Sequence, residues 1–155
     1  MAESASPTVK VSGLHQVGIV VRDLGSSVQQ YESILGIGPW QITDVGPSIL
    51  SDMTYRGRSV KHSFRVALAT VGSIELELLQ PVEGESIYRE FLEEQGGGLH
   101  HLGHVRLDNL DEAVRSLEAG GFACLQSGRY PGGAYAYMDT TKALGYVVEL
   151  VQEPR

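Results

Sequence analysis

The chain has 155 residues, 42% of them hydrophobic and 20% charged, which is the composition of one globular domain and excludes long-range disorder or a collagen-like repeat. No apolar run approaches the roughly 18–20 residues that a membrane-spanning helix needs. The net charge of −7, with no Lys/Arg stripe, argues against nucleic acid or an anionic membrane as the partner.

Residues 1–11 read as a disordered tail. The polar, Ser/Ala-rich start lacks the charged and apolar regions of a signal peptide, so the expected compartment is cytoplasmic. A strand is expected over His15–Val21. Asp23 is placed as an N-cap for a helix carrying Leu24, Val28, Tyr31 and Leu35 at helical spacing, with Gly36 as its stop. A short strand over 40–45 follows, and 46–59 reads as a loop or irregular hairpin. Strands over 60–70 and 73–79 meet around Gly72. A helix over 86–95 ends at Gly96-Gly97-Gly98. The earlier order then restarts, with a strand over 99–107, a helix over 108–120 and strands over 122–127, 134–139 and 146–151. The single cysteine, Cys124, excludes an intrachain disulfide and reads as a small buried hydrophobe.

β-α-β-β-β thus occurs twice. Leu14-His15-Gln16-Val17-Gly18 and Leu99-His100-His101-Leu102-Gly103 resemble each other at the start of each unit. The match slips by one residue before the second helix, which places a bulge in 104–107. The expected architecture is α+β: a first βαβββ module over 12–80, a linker helix and Gly-rich turn over 81–98, and a second βαβββ module over 99–152, with curved mixed sheets around a shared cleft.

Side chains two apart on a strand share a face. Glu75 and Glu77 share one face of their strand, and Glu149 stands between Val147 and Val151 on another. A charge amid apolar strand residues faces water, pairs with a cation or binds a metal. Glu77, His101 and Glu149 are such groups on three strands, and the first strand offers His15 or Gln16.

Four motifs in order carry a resemblance over residues 12–152: Gly97-Gly98-Leu99-His100-His101-Leu102-Gly103, Asn109-Leu110-Asp111-Glu112-Ala113, Glu77-Leu78-Leu79-Gln80-Pro81 and Gly145-Tyr146-Val147-Val148-Glu149-Leu150. The chain resembles the vicinal oxygen chelate superfamily of glyoxalases, bleomycin-resistance proteins and extradiol dioxygenases. Its most similar branches are the methylmalonyl-CoA epimerases and glyoxalase I. The resemblance implies one metal ligand on each of four strands: Gln16, or His15 if the register shifts by one, then Glu77, His101 and Glu149. It implies one divalent ion (Zn, Co, Ni, Mn or Fe), a small carbonyl or thioester substrate and a homodimer. The implied chemistry is isomerase or lyase work through a metal-stabilised enolate, epimerase-like first and glyoxalase I-like second. A carboxylate of raised pKa serves as the base, here Glu149. An epimerase needs a second base. Strand 63–69 holds no carboxylate, which leaves Glu75 as the substitute. A reading of a different class is a drug-binding protein of the same fold without catalysis.

Overall fold

The computed structural model describes residues 8–104 and 107–153, so residues 1–7 of the expected tail lie outside it. The first half runs β1 (Leu14–Val20), α1 (Leu24–Leu35), β2 (Gln41–Val45), β3 (Ser51–Tyr55), β4 (Arg58–Ser59), β5 (Ser63–Val71) and β6 (Ile74–Glu83). After α2 (Ile87–Gln95) the second half runs β7 (Gly98–His104), α3 (Leu110–Ala119), β8 (Cys124–Tyr130), β9 (Gly133–Met138), α4 (Thr141–Leu144) and β10 (Val147–Gln152). Among the described residues all the strands join one mixed, ten-stranded sheet in the order β2-β5-β6-β1-β7-β10-β9-β8-β3-β4.

The two modules meet edge to edge. β1 runs parallel to β6 and β7 parallel to β10, while β1 and β7 pair antiparallel at the centre. The outward faces of the strands are covered by helices. Leu78 of β6 and Ala67 of β5 pack under Leu24 of α1, and Val148 and Leu150 of β10 pack under Leu110 and Ala113 of α3. The alternate residues turn inward. Val20, Phe64, Val66 and Leu79 of the first half join Leu125, Tyr135, Tyr137 and Val147 of the second in one shared inner cluster. Each packed helix is anchored at its start by a strand glutamine. Gln80 Oε1 accepts from Leu24 N–H at 2.8 Å, Gln152 Oε1 from Leu110 N–H at 2.9 Å, and Gln126 Oε1 from Ile87 N–H at 2.9 Å. These carbonyls satisfy donors that a helix N-terminus leaves without an internal partner.

Of the two alternatives for 46–59, loop or irregular hairpin, the structure has the hairpin, β3–β4, and it leaves the first half of the chain to pair β3 with β8 of the second. Met53 and Tyr55 are buried by that pairing. Because β2 and β3 stand near opposite ends of the strand order, the connector 46–50 reaches across the open side of the curled sheet. From Val45 to Ser51 it spans at most about 20 Å. A bulge stands in the central ladder. The β1–β7 ladder slips between Leu99 and His101, leaving His100 as the extra residue, and again at His15. The interval 104–107 lies partly outside the described residues.

Candidate metal centre and its cleft

β1, β6, β7 and β10 stand side by side, and each turns one candidate group inward. Gln16 is registered against Glu75 and Gly103, Gly18 against both Glu77 and His101, and Glu149 against Gly103. Glycine is required at Gly18 and leaves tight room at Gly103. A Cβ on Gly18 would lie 2.0–2.4 Å from the His101 imidazole, so the ring occupies the space that a side chain on β1 would fill. A Cβ on Gly103 would meet Gln16 Cβ at 3.0 Å, and both Gln16 Oε1 and Glu149 Oε2 at 3.3 Å.

His101 is fully buried. Its Nε2 lies 3.2 Å from Glu77 Oε2 and 3.3 Å from Glu149 Oε2. All three atoms are buried, yet none has a well-aligned hydrogen-bond partner. Ligand atoms of Glu77, His101 and Glu149 lie within 4.8 Å of one another. Burying polar atoms without partners is costly, so convergence of three of them suits a cation at their centre. One imidazole nitrogen with carboxylate oxygens, and the Gln16 amide oxygen beside them, is a donor set for a borderline or hard divalent ion.

The electrostatics fit the same arrangement. Burial works against a charged imidazole, but the Glu149 and Glu77 carboxylates outweigh it and raise the His101 pKa to about 9. Burial raises the Glu77 pKa, the charge of Glu149 adds to the rise, and His101 opposes it. His101 Nδ1 lies 2.9 Å from His100 Nδ1. With Nε2 turned to the carboxylates, His101 donates from Nδ1 and His100 accepts. Burial first, then the charge of His101, lowers the His100 pKa to about 3, which keeps it a neutral acceptor. Phe91 and Tyr88 pack edge-on against the His100 ring. His100 is thus an orienting partner of the kind that fixes metal-binding histidines. Strand alternation would turn it away from His101, and only the bulge brings the two rings together.

Gln16, rather than His15, faces the cluster. Its Nε2 donates to Glu75 Oε1 at 2.8 Å, which turns its amide oxygen the other way. His15 lines the same cleft, with its Nε2 buried and unpartnered, but stands outside the cluster. Glu75 is half-buried and also lines the cleft. The cleft has a volume of about 700 Å³ and is walled by Leu50, Phe64 and Val66 on one side and Tyr135, Tyr137 and Val151 on the other. Arg56 and Arg58 of the β3–β4 hairpin are held by Glu90 and Glu85. Among the described helices none is long and apolar enough to cross a membrane.

Comparison with known proteins places the fold. A family model described as the Glyoxalase/Bleomycin resistance protein/Dioxygenase superfamily matches residues 15–138. The mitochondrial methylmalonyl-CoA epimerase of Mus musculus is 28% identical over 117 residues, covering 75% of this chain; the chain therefore spans little more than half of that relative, 57%. The crystal structure of methylmalonyl-CoA epimerase from Mycobacterium tuberculosis superposes with a TM-score of 0.63 at 25% identity, covering 94% of this chain and 90% of that one. A variant of the Streptomyces coelicolor methylmalonyl-CoA epimerase, in complex with 2-nitronate-propionyl-CoA, shares the fold with a TM-score of 0.69 at 19% identity, over 94% of this chain and 100% of that one. The family match extends from the first strand through β9, and by it the chain belongs to the glyoxalase/bleomycin resistance protein/dioxygenase superfamily.

Proposed function

We propose that this protein is a metal-dependent isomerase that moves the proton next to the carbonyl of a small carbonyl or thioester substrate, in the manner of a methylmalonyl-CoA epimerase. The observation that carries the reading is the convergence of three buried, unpartnered ligand atoms, from Glu77, His101 and Glu149, at a cleft with aliphatic and aromatic side chains on both sides. The likeness to the mouse epimerase supports it.

Gln16, Glu77, His101 and Glu149 would hold the ion. A divalent ion bound there supplies Lewis-acid stabilisation to negative charge developing on a carbonyl oxygen. The chain's own residues do the rest. His100 holds the His101 ring in one tautomer. Burial of His101 and Glu149 keeps water from the cluster and so strengthens the charge interactions there. Glu149 and Glu75 are carboxylates that line the cleft from different strands, and they take and return the proton. Glu75 is held in place by the Gln16 amide at Oε1, which leaves Oε2 for that work.

A second reading has its own support. The donor types Gln, Glu, His and Glu match those of glyoxalase I, where one base moves a proton between neighbouring carbons of a hemithioacetal.

The test combines metal content with deuterium exchange. Protein purified without added metal is expected to carry, or take up, about one divalent ion per chain, and His101→Ala to lose it. The loaded protein is expected to exchange the α-hydrogen of a thioester of the methylmalonyl type in D2O. Glu149→Gln should slow that exchange by about 10²–10⁴-fold. Exchange of a methylglyoxal–glutathione hemithioacetal instead would select the second reading. Failure to bind Zn, Co, Ni or Mn would end both and leave a ligand-binding protein.

A further inference from the structure

We propose that the hydroxyl of Tyr135 is a substrate-binding group: it donates a hydrogen bond to an acceptor oxygen of the compound seated in the cleft and so positions that compound against the cluster of Glu77, His101 and Glu149. This rests on the proton-transfer reading above and adds a residue outside the ligands and bases named there.

Tyr88, Tyr130, Tyr135 and Tyr137 line the cleft. The hydroxyls of Tyr88 and Tyr137 bond each other at 2.7 Å, and that of Tyr130 donates to the Gln152 carbonyl at 3.4 Å. Tyr135 is 7% exposed, and its buried hydroxyl has no partner. A hydroxyl withdrawn from water without a partner destabilises the fold, whereas a phenylalanine would pack the same wall at no such cost. Burial, with Glu149 and Glu77 adding, holds the phenol protonated, so a ligand meets a neutral donor there. Among the described residues no Lys or Arg lines the cleft, and the Gln16 amide donates to Glu75. An uncharged donor of this kind serves a carbonyl or a carboxylate oxygen alike.

The sheet sets this donor beside the cluster. On β9, Tyr137 is registered against Glu149 and Tyr135 against Val151, so Tyr135 stands two residues, about 7 Å, further along the same inward face. On its other side Tyr135 is registered against Gly128 of β8. A Cβ on Gly128 would lie 2.5 Å from the Tyr135 hydroxyl oxygen and 2.8 Å from Cζ. Gly128 has no left-handed φ, so what its missing side chain supplies is the seat of this ring.

The experiment compares the full chain, with and without zinc, with Tyr135→Phe and Gly128→Ala, using the N-acetylcysteamine thioester of methylmalonate as probe. Calorimetry is expected to show Tyr135→Phe binding it about tenfold more weakly, as loss of a hydrogen bond to a ligand oxygen implies, and Gly128→Ala, which keeps the hydroxyl but unseats it, weakened as well. Urea melts without ligand are expected to place the Tyr135→Phe midpoint at or above that of the native chain, a combination that a structural role for the hydroxyl would not give. Free methylmalonate is the second probe. A loss it shares puts the bonded oxygen on the acyl end, and a loss confined to the thioester puts it on the thiol arm. Undiminished thioester binding by Tyr135→Phe overturns the proposal. So does a lower midpoint for that variant, which would give the hydroxyl a partner inside the protein, and so does failure of the native chain to bind the thioester. Deuterium exchange at the α-carbon, read separately by NMR against the buffer rate, reports on the proton-transfer reading. A thioester bound through Tyr135 but never exchanged would end that reading and leave the role of Tyr135 intact.

Discussion

Gly18 shows how a single missing side chain shapes the centre. Gly18→Ala would place a methyl inside the imidazole of His101, which is walled in by the Tyr137 ring 4.9 Å away and by His100. The variant is expected to lose about 1–3 kcal/mol of stability in urea melts, as overpacked sites do, and to bind zinc at least tenfold more weakly. Unchanged zinc binding would mean that His101 does not hold the ion. A second buried histidine gives a pH signature. His62 is buried against Phe64 and Tyr88, neither ring nitrogen has a partner, and burial lowers its pKa to about 4. The unfolded chain binds that proton near pH 6.5. Stability is therefore full above 6.5, falls as pH drops from 6.5 to about 4, and levels off below. His62→Phe should remove about 2–3 kcal/mol of that acid loss, read from urea midpoints between pH 7 and 4. Glu77, His101 and Glu149 stood out in the sequence because charges and imidazoles are costly amid apolar strand residues. His100, Gly18 and Gly103 did not, because their roles depend on a bulge and on contacts across strands that no local spacing encodes.

At the scale of elements, the helices and the β5–β6 hairpin were legible from apolar spacing, caps and turn residues. The end of β3–β4 was not. Ser51-Asp52-Met53-Thr54-Tyr55 pairs with β8, far away in the chain, and its two buried residues make too short an alternation to mark a strand alone. α4 is a single turn and carries no periodicity of its own. The strand glutamines that anchor the helices repeat with the modules. Gln80 follows Glu77 by the same spacing as Gln152 follows Glu149, so each strand that offers a carboxylate inward also holds the start of its own outer helix. Gln80→Ala and Gln152→Ala should each cost about 1 kcal/mol, as lost caps do. Their effects should add, since they share no partner. Urea melts of the two singles and the double would show a departure from additivity if the helices dock cooperatively.

For the whole molecule, the β1–β7 ladder joins the modules, and the inner cluster draws on both. A single cooperative transition is therefore expected. Fluorescence of the lone Trp40, packed on Tyr31 beneath α1, and far-UV dichroism of the whole chain should give one midpoint in urea. Two midpoints would show that the halves unfold separately.

The connector 46–50 acts on this shape as a drawstring. It ties the two margins of the curled sheet, and its Ile49 and Leu50 line the cleft they enclose. Its length sets how wide the mouth can open, while Gln16, Glu77, His101 and Glu149 all sit on strands at the opposite, central part of the sheet. Insertions or deletions in these few residues would resize the aperture without disturbing the groups in the floor, so the size of the cleft's mouth and the arrangement of its polar groups can vary independently.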